Sequence, residues 1–462
     1  MSPLTRRQVL RSGVGLVASG GVATLGGGCF LAPRPRIRVM DAVVGADRWR
    51  LDAGGAGSTA APILGTPAVG LTTPADGSSA AATLARTQPV DLRNHALRLR
   101  LRVEEEGAEH LERIDVRIGS GLRAFESASF QSIVLPDAVD GYGSEWLKPG
   151  EDVAITLGPA SFASARQDEG LYFDVLQDFA ISATARRGHR ATVAFGDLDV
   201  VPGPATRPRG LVSFCFDDGL ASHLTQAMPI LATHGFAATT YLIHDLVGEE
   251  GYLGTEGVRA LVDAGWDAAA HADQVAVHNA RGGVTRLGEE RILADWGANR
   301  HWLRAARLSR GADYAYPQGR FDAGTVAALA RFGHFGTART ESFRSIETLP
   351  PADPWRLRTV SFNETLNVGP PDRVGSIMWR IAQTASYGGW LILSFHDVTD
   401  GVAKGSAAAV ADLERIVRYV ARRRVPVRTV AQVRREVLPR REWPRTVTSR
   451  GAPTETAPVQ GP

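Results

Sequence analysis

The sequence predicts an α/β protein whose C-terminal half is a distorted parallel (β/α) barrel, preceded by an all-β, sandwich-like N-terminal domain. Three observations lead there. From Leu211 to about Val437, short apolar runs alternate with amphipathic helical stretches, the pattern of repeated βαβ units. Before Pro202, short runs of period two recur between clusters of Gly, Pro, Asn and Asp, as in antiparallel sheets with one packed and one wet face. At 462 residues the chain is also longer than one comfortable core. The expected division is an export signal over 1–35, a sandwich over 36–202, a linker over 203–210, the barrel over 211–438 and a polar, proline-rich tail over 439–462.

The first segment carries Arg6-Arg7 ahead of a mildly apolar, glycine-rich stretch from Gly13 to Leu25, the layout of a twin-arginine export signal. It is too short and too rich in glycine to span a membrane. An extracytoplasmic location, in the cell envelope or secreted, is the expectation. Cys29 follows this stretch and is a candidate for lipid modification and membrane anchoring, although the usual leucine before such a cysteine is absent. Cys215, the other cysteine, sits within an apolar run and reads as a core residue. The net charge of +3, with no long basic run, excludes nucleic acid as the main partner. Lys148 and Lys404 are the only lysines, so the positive charge is almost all arginine.

In the N-terminal domain the alternation predicts strands over 96–103, 114–118, 152–157 and 191–195, and the small-residue stretch 53–82 reads as a long loop. Phe125, Phe130, Tyr142 and Trp146 are candidates for sugar stacking on an exposed sheet face, or for core. The barrel half predicts strands over 211–216, 237–243, 266–270, 312–316, 334–337, 357–362, 390–395 and 426–429. The intervening helices fall near 221–234, 255–264, 287–306, 323–332, 374–386 and 407–422, with a last one ending near Val437.

In such a barrel, chemistry gathers at the C-terminal ends of the strands. Those ends carry Asp217-Asp218 after the first strand, His271 after the third, Tyr316-Pro317-Gln318-Gly319-Arg320 after the fourth and His396-Asp397 after a late one. Two adjacent carboxylates in a partly buried loop repel each other, so a cation or an altered pKa is needed to keep both.

These residues resemble the motifs of the polysaccharide deacetylases, the NodB-homology or carbohydrate esterase 4 family. Phe216-Asp217-Asp218-Gly219 is similar to the first motif and Gly265-Trp266-Asp267-Ala268-Ala269-Ala270-His271 to the approach to the second. Ala315 to Arg320 is similar to a variant of the third motif, and Leu393-Ser394-Phe395-His396-Asp397 to the last. The resemblance covers roughly residues 209–438 and implies a barrel of NodB type. It further implies a hydrolase that removes acetyl groups from acetylated polysaccharide with a divalent metal, usually zinc. Asp217 would be the general base, Asp218 and His271 metal ligands and His396 the proton donor to the leaving amine, with a backbone N–H near Gln318 stabilising the oxyanion. Tyr316, Pro317 and Arg320 would line the substrate side of that loop.

Two departures stand out. The family's second motif is usually H-[ST]-x-x-H, but Val275 stands four residues after His271 and cannot bind a metal. The next histidine is His278, which on a continuous helix would lie on the same face as His271, one turn further on; Asp273 is a second possible ligand. Ala315 stands where an arginine commonly orients the base, and Arg320 or Arg358 is the expected substitute. His223, His234, His244 and His334 read as structural or exposed. Two alternatives remain open: a non-catalytic carbohydrate-binding protein on this fold with a degraded metal site, and an O-acetyl esterase.

Overall fold

The computed structural model describes residues 49–51, 56–93, 95–119, 130–133, 147–162, 173, 176–202, 210–309, 311–341, 346–362, 372–401, 403 and 406–437, all within one compact unit, Ile37–Pro462. The export signal, Cys29, the linker segment 203–209 and the tail from 439 lie outside the described residues, as do the side chains of Phe125, Phe130, Tyr142 and Trp146.

Among the described residues, ten strands build the N-terminal domain: β1 (Arg50–Leu51), β2 (Ala56–Ile63), β3 (Thr66–Thr72), β4 (Ala80–Val90), β5 (His95–Val103), β6 (Leu111–Gly119), β7 (Phe130–Ile133), β8 (Val153–Leu157), β9 (Leu176–Ala185) and β10 (Thr192–Pro202). They form two antiparallel five-stranded sheets, ordered β1-β4-β9-β6-β7 and β2-β3-β10-β5-β8. Strand β5 shows why. Leu97, Leu99, Leu101 and Val103 are buried, and the alternate Arg98, Arg100 and Arg102 face outward onto Asp199, Asp152 and Glu104. Leu97 and Leu99 share one core with Ile114, Val116, Phe179 and Ile181 of the other sheet.

The stretch 53–82 is not a long loop. It contains β2 and β3, joined by Leu64-Gly65 with both residues at positive φ (47° and 80°), a two-residue hairpin of type I′ character. Small Ala, Gly, Ser and Thr side chains mask the alternation there, and pairing with β10 supplies what propensity does not.

The second half runs β11 (Leu211–Phe216), α1 (Met228–Ala232), β12 (Thr239–Ile243), α2 (Thr255–Asp263), β13 (Asp267–Ala272), α3 (Val275–His278), α4 (Glu289–Ala305), β14 (Asp313–Ala315), α5 (Ala323–Phe332), β15 (Thr337–Arg339), β16 (Val360–Ser361), α6 (Arg373–Tyr387) and β17 (Trp390–Phe395). A two-stranded pair, β18 (Val398–Thr399) and β19 (Ala408–Ala409), precedes α7 (Val410–Arg423) and α8 (Val430–Val437). Seven strands form one parallel sheet in the order β15-β14-β13-β12-β11-β17-β16. The segment Leu357–Ser361 pairs with β15 at its start, through Leu357 and Arg339, and with β17 at its end, through Val360 and Leu393. It thereby splices the two edges, and the sheet closes as a distorted barrel. The predicted strand 426–429 is a single bridge, Val212 to Val427.

Buried on both faces, β11 and β17 read as unbroken apolar runs. Helix α7 instead buries Leu413, Ile416, Val417 and Val420 on one stripe. Asp322 and Asp372 cap α5 and α6 through the N–H groups of Thr325 and Gly375. No helix among the described residues is long and apolar enough to cross a membrane.

Buried polar contacts join the sandwich to the barrel. Glu151 pairs with Arg356, and Arg358 binds Glu347 and donates to the carbonyl of Thr156 at 2.8 Å. The Lys148 ammonium lies 4.5 Å above the ring of Phe321.

Candidate active site

Strand β11 delivers its two carboxylates through a change of backbone hand. Asp218 (φ 72°) and Gly219 (φ 76°) are both left-handed, so the side chains of Asp217 and Asp218 leave the strand in different directions. Asp and Asn are the L-residues that tolerate this region best, and a Cβ on Gly219 would stand 2.8 Å from Leu242 Cδ2.

Asp217 turns inward. It is 3% exposed, its N–H donates to the Phe395 carbonyl at 2.9 Å, and its carboxylate is paired with the guanidinium of Arg339, which is 2% exposed. Burial pushes the Asp217 pKa up, but Arg339, His271 and His396 together outweigh it and hold the carboxyl below its ordinary value. Arg339 closes β15, and this corrects the expectation that Arg320 or Arg358 orients the base. Arg358 is engaged by Glu347, and Arg320 ends the Tyr316 loop with its Cβ close to Gly283. The predicted strand 334–337 stops two residues short of Arg339 and hides it. An arginine within a buried strand, flanked by Ala338 and Thr340, was the available signal.

Asp218 turns toward two imidazoles. Its Oδ1 lies 3.5 Å from His271 Nε2 and 3.3 Å from His278 Nε2. One ligand atom from each of the three residues falls within 4.8 Å of the others, the one such group among the described residues. His271 lies in β13 with Nδ1 bonded to the Ala315 carbonyl at 2.9 Å, and His278 Nδ1 faces Asn279 Oδ1 at 2.8 Å. With both Nδ1–H groups donated outward, the Nε2 lone pairs point at a carboxylate oxygen that is buried and without a hydrogen-bond partner. Three converging acceptors repel one another unless a cation stands between them, and one carboxylate with two imidazoles is a donor set that suits zinc. Burial opposes the charged forms here too. When protons on Nε2 take the place of that cation, His271 and His278 hold Asp218 far below its ordinary pKa, and Asp218 raises that of His278.

The route to His278 differs from the expected one. His271 and His278 do not share a helix: β13 runs to Ala272, Gln274 is extended, and a single turn, α3, begins at Val275 and ends at His278. Asp273 is not part of the group, because it pairs with His244 at 2.8 Å.

The third-motif loop holds Gln318 in the left-handed region (φ 57°, ψ 19°) and Gly319 at φ 66°. A Cβ on Gly319 would meet Glu341 Cβ at 2.5 Å. The Gln318 side chain donates to the His278 carbonyl at 2.7 Å, tying this loop to α3. Tyr316 and Pro317 are buried, and Tyr316 donates its hydroxyl to the Trp355 carbonyl at 2.9 Å and stacks on Phe321. Only 2% exposed, with its ring packed on Phe321 and its hydroxyl bound, Tyr316 is a support beneath the loop and presents no surface to a substrate.

His396 follows β17, its Nε2 3.9 Å from Glu341 Oε1 and its Nδ1 buried without a hydrogen-bond partner. His223, read from sequence as structural or exposed, is fully buried and spans the site's underside. Its Nδ1 meets Thr240 Oγ1 and its Nε2 the His396 carbonyl, each at 3.1 Å. Burial lowers its pKa to about 4, so it is neutral near pH 7. Cys215, also buried, has its thiol pushed up to about 12 and serves as core.

Comparison with known proteins adds the following. Residues 205–335 match the sequence model of a family described as polysaccharide deacetylase. None of the curated proteins matches the chain. Solved structures similar to it include a family 4 carbohydrate esterase from Streptomyces lividans in complex with acetate, with 19% identity, 47% of this chain and 91% of that one covered, and a TM-score of 0.33. The peptidoglycan deacetylase PdaC from Bacillus subtilis, as a mutant, is similar at 13% identity, 49% and 91% coverage and a TM-score of 0.34. A carbohydrate esterase family 4 pseudoenzyme from Bacillus anthracis is similar at 13% identity, 48% and 65% coverage and a TM-score of 0.34. The matched segment contains both aspartates, both ligand-type histidines and the third-motif loop, and over this segment the chain is similar to the polysaccharide deacetylases, hydrolases of carbon–nitrogen bonds other than peptide bonds.

Proposed function

We propose that the chain is a metal-dependent deacetylase that removes N-acetyl groups from an envelope or extracellular polysaccharide and releases acetate. The observation that carries this reading is the division of the aspartate pair: Asp217 on buried Arg339, Asp218 on the converging His271 and His278. Asp217, held ionised, accepts a proton from the attacking water. His396, at the end of the neighbouring strand β17, donates one to the departing amine. The left-handed Gln318 exposes a strained backbone N–H as the oxyanion donor. Bound by Asp218, His271 and His278, a divalent ion, zinc in this reading, supplies Lewis acidity toward water and the acetamide carbonyl. The twin-arginine segment supports export, which is where such polymers lie. The convergence of His278 on Asp218 weakens the reading of a degraded metal site, whose ground was Val275.

Metal analysis of the purified protein is expected to give about one ion per chain. Acetate release from acetylated glucosamine polymers is expected, and expected to vanish in Asp217→Ala. A chain that takes up no metal when zinc or cobalt is supplied, or an Asp217→Ala variant that keeps its activity, overturns the proposal.

A further inference from the structure

We infer that His278 is placed as the third ligand by the groups around its short helix, Asp295 of α4, Gln318 of the third-motif loop and the adjacent Asn279, and that these three are positioning residues for the metal. The inference rests on the reading of Asp218, His271 and His278 as ligands.

A helix of four residues is far below the length at which a helix holds itself together. The position of α3 is therefore whatever its contacts make it. After β13 ends, three backbone N–H groups in a row receive carboxylates from elsewhere in the fold. Asp295 accepts from Asp273 N at 3.1 Å and from Gln274 N at 3.0 Å, and Asp245 accepts from Val275 N at 3.2 Å. Asp295 is 5% exposed on a helix of 17 residues, so the anchor is rigid. One turn along the same helix, Asn299 is 1% exposed and donates to the carbonyls of Leu242, at 3.1 Å, and Ala272. Helix α4 thus ties the ends of β12 and β13 and the start of α3 in one line.

The far end of α3 is held by the other two residues. Gln318 Nε2 donates to the His278 carbonyl, and Asn279 Oδ1 takes the His278 Nδ1 proton, which leaves Nε2 free to coordinate. Every anchor of α3 comes from a group that would not touch the ion. The relocation of a ligand from position 275 to position 278 is compensated by these supports, and metal affinity depends on them.

The test uses the full chain, stripped of metal and titrated with cobalt(II), whose visible absorption reports both affinity and ligand geometry. His278→Ala is expected to abolish or grossly alter the spectrum. Asp295→Asn, which turns an amide N–H toward a backbone N–H, and Asn279→Ala, an exposed substitution, are each expected to weaken binding about 10–100-fold with shifted bands. Their metal-free melting curves should stay close to the parent's, which separates ligand placement from folding. Asp295→Asn and Asn279→Ala binding cobalt like the parent, with unchanged spectra, overturns the inference. If Asp295→Asn does not fold, Asn279→Ala and Gln318→Leu decide it, parent-like binding by both being the refuting result. A parent chain that takes up no cobalt removes the metal reading itself, and this inference with it.

Discussion

Arg339→Met removes the cation facing Asp217 and leaves a carboxylate only 3% exposed. If Asp217 stays ionised, breaking such a buried pair costs about 3–5 kcal/mol. If it takes up a proton instead, the cost at pH 7 is bounded by protonating a group of ordinary pKa about 3.9, roughly 1.36 × 3.1, or about 4 kcal/mol. Both routes give a loss of about 4 kcal/mol at neutral pH. The sign of the pH dependence is the sharper signature. In the parent the folded pKa of Asp217 lies below the unfolded value, so its contribution is present above the unfolded pKa and is lost as pH falls through the folded one. In Arg339→Met burial acts with less opposition and the folded pKa rises above the unfolded value. The variant then loses stability as pH rises between them. Denaturant unfolding of both proteins from pH 4 to 8 should show the difference in stability growing with pH, and the acidic limb of the acetate-release profile should move upward. Adding Asp217→Asn to Arg339→Met should recover much of the lost stability, because no uncompensated charge remains. Parallel curves for parent and variant, with an unmoved acidic limb, would refute the assignment of Arg339.

His223 is neutral in the fold, with a pKa near 4 against an ordinary 6.5, so its stabilising contribution is complete above pH 6.5 and falls as pH drops toward 4. The expected loss is about 1.36 kcal/mol per unit, on the order of 3 kcal/mol in all, and unfolding of His223→Asn should lack that slope. Glu151→Gln strips the buried Arg356 of its closest carboxylate and leaves Asp353 at 3.4 Å. A loss of about 3 kcal/mol in unfolding measurements is expected, together with slower acetate release, because Arg356 and Lys148 both lie over Phe321 beneath the third-motif loop.

The strands that pack on both faces were legible in the sequence to within a residue or two: the apolar runs at 211–216 and 390–395 are β11 and β17 as observed. Long amphipathic helices such as α5 and α7 were legible for the same reason, since burial imposes their period. What was not legible follows from contacts that sequence cannot express. Small-residue β2 and its partner β3 lack a pattern until β10 is beside β3. Arg339 looks like an ordinary residue past a short strand until the barrel curls and sets it against Asp217. The site residues carried by motif, Asp217, Asp218, His271 and His396, were visible because their chemistry is stated in their side chains. Those that act by position, Arg339, His223 and Asp295, were invisible because their partners are 122, 173 and about 21 residues away.

The left-handed backbone at Asp218 makes that position answer to two independent demands. A replacement has to offer an oxygen to the histidines and also to tolerate a conformation that costs most side chains about 1–2 kcal/mol. Glutamate satisfies the first and not the second; glycine satisfies the second and not the first. Asparagine alone comes near both, keeping the shape while giving up the charge. Asp218→Asn is accordingly the substitution that separates what the charge contributes from what the turn contributes, and at this position a change that looks conservative by chemistry is not conservative by conformation.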